Sequence, residues 1–129
     1  MSTRHYLLGQ VGPYGVLVPA DLVSGVWMTG EEPRVDWTAA LAIDLRSLLG
    51  LMAGSPSAQV ALQREGTFAS VIVLDAISDL RTIADNAFKP LPRAFRYARD
   101  LFDGLSTTPG HHALRLRRDP SFFPLVATA

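Results

Sequence analysis

The 129-residue chain carries 12 Lys+Arg against 12 Asp+Glu, with 48% apolar and 19% charged residues. This is the length of one domain with enough apolar side chains for a real core, which excludes a disordered chain. Zero formal charge excludes the broad positive field behind nonspecific nucleic-acid or anionic-membrane binding, and the lack of cysteine excludes disulfides, thiolate catalysis and cysteine zinc sites.

The N-terminus, MSTRHYLLGQVG, places a basic residue before an apolar run that Gly9 and Gln10 break too early for a signal-peptide core. No apolar segment is long enough to span a membrane, so a soluble, cytoplasmic protein without membrane insertion is expected. Tyr6 to Val11 reads as a strand, Gly12-Pro13 as a turn and Tyr14 to Val18 as a second strand, together a hairpin. Asp21 to Met28 reads either as a strand with a bend or as a single helical turn. TGEEPR (29–34), with Pro33, reads as a loop, and Trp37 to Ile43 as a buried strand.

LAIDLRSLLG (41–50) sets one carboxylate inside an apolar run. Asp44 fits a helix N-cap, accepting from the backbone at Arg46 or Ser47, and Gly50 fits the left-handed residue that closes the helix. Asp119-Pro120 has the same grammar, with proline at the first helical position. MAGSPSA (52–58) is linker-like. Gln59 to Gln63 and Phe68 to Leu74 read as strands joined across Arg64-Glu65-Gly66-Thr67.

ISDLRTI is a mixed apolar and polar stretch, and the two prolines of AFKPLP forbid a regular helix there. From Arg93 to Asp103, apolar residues at 94, 95, 98, 101 and 102 have helical spacing; the end of that run can equally begin a strand ended by Gly104. His112 to Arg117 alternates, with Leu114 and Leu116 on one face and Arg115 and Arg117 on the other. The basic cluster LRLRRD then reads as the solvated face of an edge strand, or as a patch for an acidic partner.

An internal repeat organises these elements. YGVLVPADLVSGV (14–26) aligns without a gap on FASVIVLDAISDL (68–80), setting Asp21 on Asp75, Val23 on Ile77 and Ser24 on Ser78. Each copy follows a glycine-containing turn and a preceding strand. The expected architecture is mainly β: two tandem small barrels sharing a core within one domain over 1–129. The halves run over 14–50 and 59–84, with flanking strands at 6–11 and 101–124.

Catalytic patterns are weak. The glycines at 9, 12 and 15 resemble a phosphate-binding loop, but Pro13 and a strand follow where a helix would have to open. His111 and His112 are adjacent, so on a strand they point to opposite faces and chelate poorly. No G-x-S-x-G is present. A non-enzyme without a cofactor or metal is expected, ahead of a hydrolase using Asp and His. Trp27 and Met28 close an apolar run before a polar loop and fit either interface anchors or core.

Three of these stretches, in this order, resemble the CheW-like domain of bacterial chemosensory systems. VIVLDAISDLRTI (71–83) is similar to the family's strand with a V-D-x-V-x-D-V type segment, and LAIDLRSLLGL (41–51) to its strand-into-short-helix P-V-x-D-L-R-x-L-L-G segment. YGVLVPADLVSGVW (14–27) is similar to its opening strand pair. The resemblance spans residues 6 to about 124. It implies two five-stranded SH3-like β-barrels about a shared core, with short helices. It also implies a non-catalytic adaptor that joins methyl-accepting chemoreceptors to a CheA-type histidine kinase by protein–protein contact, and places the contact surface near Val23 and Val26, with Trp27 and Met28 as neighbours.

One departure marks the chain. Where the family has N-L-R-G in the hairpin before the D-L-R strand, this sequence has Arg34-Val35-Asp36-Trp37, with Asp36 in place of the arginine and Trp37 in place of the glycine. A reversed charge at a contact opposes the usual partner. A divergent adaptor, serving a pathway such as one controlling pilus-based motility, is the resulting expectation. The alternative from another class is a small β-barrel that binds a small-molecule ligand.

Overall fold

The computed structural model describes residues 2–28, 41–52, 54, 57–64, 67–107 and 112–120. Nine strands among them form two sheets: β1 (Thr3–Val11), β2 (Tyr14–Pro19), β3 (Val23–Met28), β4 (Leu41–Asp44), β5 (Ala58–Arg64), β6 (Thr67–Leu74), β7 (Ala76–Ala84), β8 (Phe102–Ser106) and β9 (Ala113–Leu116). Sheet A has the order β7-β1-β2-β9-β8 and sheet B the order β3-β5-β6-β4. The mainly β class with short helical pieces is the one expected; where two five-stranded barrels were implied, the described residues hold one sheet of five strands and one of four.

The repeat appears as topology. β1 and β2 are an antiparallel hairpin, as are β5 and β6. β2 then takes β9 as a parallel neighbour, and β6 takes β4 in the same way. The third strand of each copy leaves its own sheet: β3 pairs with β5 in sheet B, and β7 pairs with β1 in sheet A. Each sheet is therefore assembled from strands of both spans, 14–50 and 59–84.

The core lies between the sheets. Leu7, Val11, Val16, Val18, Phe102, Leu114 and Leu116 from sheet A meet Val60, Leu62, Ile72 and Leu74 from sheet B in one cluster. On the other face of sheet A, Tyr6, Leu8, Leu17, Ile83 and Ala113 form a second cluster, covered by Ala87 and Phe88. Both faces of β1 and β2 are thus buried, which is why YLLGQV and YGVLVP read as continuous apolar runs instead of alternating ones.

Several elements differ from their sequence reading. Asp21 to Met28 is both alternatives in succession, a 3-10 turn at Ala20–Leu22 and then β3. ISDLRTI lies within β7. Among the described residues that strand is an edge of sheet A and mostly exposed, so little burial shapes its sequence. Residues Arg93–Ala98 form a 3-10 helix closed by i→i+3 bonds such as Arg99 N to Arg96 O (3.2 Å). Gly104 does not end the following strand; β8 runs through it at a register shift opposite Arg115. β9 is interior to sheet A, not an edge strand. Leu114 and Leu116 do face the core, while Arg115 is half-buried on the opposite face. Of the strand expected over Trp37 to Ile43, the described residues hold β4; the loop at 29–34, the turn at 65–66 and the helix after Asp119-Pro120 lie outside them.

Candidate interaction surface

Asp44 is structural. Its carboxylate accepts from Arg46 N at 3.0 Å and caps the one-turn helix α1 (Leu45–Leu48). Ser47 Oγ donates to the other carboxylate oxygen at 3.4 Å. Gly50 has φ +70°; its N–H donates to Ser47 O, and that of Leu51 to Arg46 O, the paired bonds of a Schellman close. The glycines are structural too. Gly12 (φ +56°) makes the β1–β2 turn, and a Cβ on Gly9 would stand 2.7 Å from Leu74 Cδ1 and 3.3 Å from Ala76 O, so a larger residue there would force the buried Leu74 side chain to move.

The resemblance placed contacts on β3, and the structure separates the four residues involved. Among the described residues β3 is an edge of sheet B. Val23 and Val26 are half-buried and lean on the core. Trp27 is a correction to the expected surface: at 2% exposure it is a core residue and offers no contact area. Met28, next to it, is 43% exposed, as alternation along a strand requires. Asp36 and Trp37 lie outside the described residues. What remains of the surface on β3 is an apolar rim of Val23, Val26 and Met28.

Two concavities lie elsewhere. A cleft of about 650 Å³ opens beside β1, β2 and β9 and holds Arg4, Asp21, Asp85, Asp103, Arg115 and Arg118. Its charges are paired with one another: Arg4 Nε to Asp85 (3.5 Å), Arg115 Nε to Asp103 (2.6 Å), and Arg118 to both oxygens of Asp21, one of them at 2.8 Å. The Arg118 guanidinium holds the Asp21 carboxyl below its ordinary value, and hydrogen bonding to Asp21 in turn raises Arg118. Burial works to lower the Arg115 pKa; the Asp103 and Tyr6 hydrogen bonds and charges outweigh it, and the net direction is up. Arg115 also lies 4.1 Å from the Phe88 ring centroid, which in turn meets Tyr6 edge-on. Within the basic cluster read as a solvated face, Arg115 and Arg118 are committed to ion pairs, while Arg117 is exposed and donates to Arg99 O.

The second concavity is apolar, about 700 Å³, with Tyr14 and Phe95 in edge-to-face contact and Pro13 and Pro92 beside them. His112 lines it; His111 lies outside the described residues. Among the described residues no cluster of three or more His, Asp or Glu is placed to hold a metal ion, and no helix is long and apolar enough to cross a membrane.

A junction that sequence reading missed sits between the sheets. Asp75, the residue between β6 and β7, accepts from Arg46 Nη1 at 2.5 Å and from Gly12 N at 2.7 Å. The signal for it was present in the repeat, which set Asp75 on Asp21, but ion-pair partners cannot be read from a strand pattern.

No protein-family model matches the chain, and no curated protein sequence matches it. Its fold is similar to the crystal structure of the scaffolding protein TtCheW from Thermoanaerobacter tengcongensis, with a TM-score of 0.73 and 13% sequence identity over 97% of this chain and 95% of that one. The CheW-like fold expected from the three sequence stretches is therefore present, at an identity that marks a divergent sequence.

Proposed function

We propose that the protein is a non-catalytic scaffold of a bacterial chemosensory system, joining a CheA-type histidine kinase, a methyl-accepting chemoreceptor, or both, in the cytoplasm. The observation that carries this reading is the likeness to a scaffolding protein along nearly the whole chain. The β3 rim supports it: an edge strand with half-buried valines and an exposed methionine is the apolar, adaptable kind of surface that protein partners cover.

Asp36, where the family has arginine, argues for a divergent partner, such as that of a pathway controlling pilus-based motility. Calorimetry against a CheA regulatory domain and a receptor-tip peptide tests the reading. Binding to either, weakened by Met28→Asp and altered by Asp36→Arg, is expected; binding to neither refutes it.

The cleft favours one alternative, a small-molecule binding module, because about 650 Å³ is within the range of ligand sites. A polar ligand there would have to compete with three ion pairs already formed. A thermal-shift screen in which no small molecule raises the melting temperature removes this alternative.

A further inference from the structure

We propose that Asp75 is a latch between the two sheets, and that it holds the β6-to-β7 crossover, and so sheet A against sheet B, in one arrangement. The proposal does not depend on the identity of any partner.

The repeat places an aspartate at each crossover. Asp21 lies in the 3-10 turn between β2 and β3, where the chain passes from sheet A to sheet B; Asp75 lies where it passes back. Each is paired with an arginine two residues beyond the strand that runs parallel to its own repeat's second strand. That arginine is Arg118 beyond β9 for Asp21, and Arg46 beyond β4 for Asp75. The two pairs are the same device built twice.

They are not equally placed. The Asp21 and Arg118 side chains are 59% and 51% exposed, and such a pair is screened by solvent. The Asp75 and Arg46 side chains are 27% and 19% exposed. One Asp75 oxygen takes both the guanidinium and the Gly12 N–H. The Asp75 backbone N–H donates to Gln10 O at 2.9 Å, and its carbonyl accepts from Ser57 Oγ. Arg46 also donates through Nε to Met52 O at 2.9 Å. Asp75 and Arg46 together thus tie the β1–β2 turn of sheet A to the crossover, to α1, to Met52 and to Ser57.

Space has been kept for it. A Cβ at Gly12 would meet Leu51 Cδ1 at 2.8 Å and Arg46 Nη1 at 3.5 Å, and one at Gly54 would meet Arg46 Nε at 2.7 Å. A side chain at Gly54 would crowd the guanidinium itself, whereas one at Gly12 would crowd Leu51 and leave Arg46 in ordinary contact.

The test uses the absence of cysteine from the chain. Spin labels at Ala42→Cys in β4 and Ser78→Cys in β7, both exposed, report the spacing of the two sheets. Asp75→Asn and Arg46→Gln are each expected to broaden the label-to-label distance distribution, and together to broaden it no more than either alone. Asp21→Asn is expected to leave it unchanged. Amide exchange at Gly12 is expected to rise about tenfold or more in Asp75→Ala, the loss of one charge-assisted hydrogen bond. Exchange at Val60 and Ile72 in the β5–β6 ladder should keep its rate. A distribution in Asp75→Asn as narrow as the parent's overturns the proposal. So does exchange that rises equally at all sites, or the same broadening in Asp21→Asn. If Asp75→Ala does not fold, the label-to-label distance distribution in Asp75→Asn decides the proposal by itself.

Discussion

Trp27 and Met28 are neighbours with opposite roles, and substituting each separates stability from binding. Trp27→Ala empties a site that is 2% exposed on β3 of sheet B. A buried tryptophan removes roughly 200 Å² from water, which at about 25 cal/mol per Å² corresponds to about 5 kcal/mol. Large-to-small substitutions of this kind cost about 3–5 kcal/mol. For a chain of this length each kcal/mol moves the melting temperature by about 4 °C, so a fall of roughly 10–20 °C is expected. Met28→Asp changes a side chain that is 43% exposed on an edge strand and should cost about 1 kcal/mol or less. Urea and thermal denaturation, followed by the circular dichroism of the sheets, read both variants, and calorimetry reads their partner binding. The expected pattern is a destabilised Trp27→Ala and a stable, binding-impaired Met28→Asp. A Trp27→Ala protein that melts within 2–3 °C of the parent, an effect of at most about 1 kcal/mol, would refute the placement of this indole in the core.

Gly50 has φ +70° and open space around its missing Cβ, so Gly50→Ala isolates backbone strain and should cost about 1 kcal/mol in urea denaturation. Gly12→Ala, with Leu51 Cδ1 at 2.8 Å from the new Cβ, should cost more; the reverse order would contradict the close approach. The Ser70 hydroxyl is fully buried with no hydrogen-bond partner among the described residues, and Val16 occupies its place in the other repeat. Ser70→Ala is therefore expected to stabilise by about 1 kcal/mol, and a destabilised variant would reveal a partner. Asp21 should titrate below an ordinary aspartate by NMR and return toward the ordinary value in Arg118→Gln. Because its folded pKa is lowered, the stabilisation it contributes is present above the unfolded aspartate pKa and is lost as pH falls through the folded value. Equal midpoints in the two proteins would show that the ion pair does not form in solution.

Legibility in the sequence followed the range of the interactions. The β1–β2 and β5–β6 hairpins were readable because their turns are local and their apolar runs are unbroken. The cap at Asp44 and the close at Gly50 were readable because both partners lie within six residues. β7 was not, since an exposed edge strand carries little hydrophobic pattern. Arg115 was misread because its pair, Asp103, and its ring, Phe88, come from elements with no fixed sequence spacing to β9. The exposure of β3 was not legible, because an apolar run does not say which of two adjacent residues, Trp27 or Met28, faces inward.

The sequence by itself determined the class, the repeat and the punctuation. A neutral, cysteine-free, apolar chain with Asp21 and Asp75 in equivalent positions specifies two copies of one β unit, because local propensity and periodicity act within a dozen residues. Only the tertiary structure decided that the third strand of each copy crosses into the opposite sheet, that Trp27 is covered while Met28 is not, and that Asp75 and Arg46 meet at 2.5 Å. Those outcomes depend on which strands pair across the chain and which carboxylate reaches which guanidinium. Such choices are made by long-range contact and desolvation, on which a local pattern carries no information.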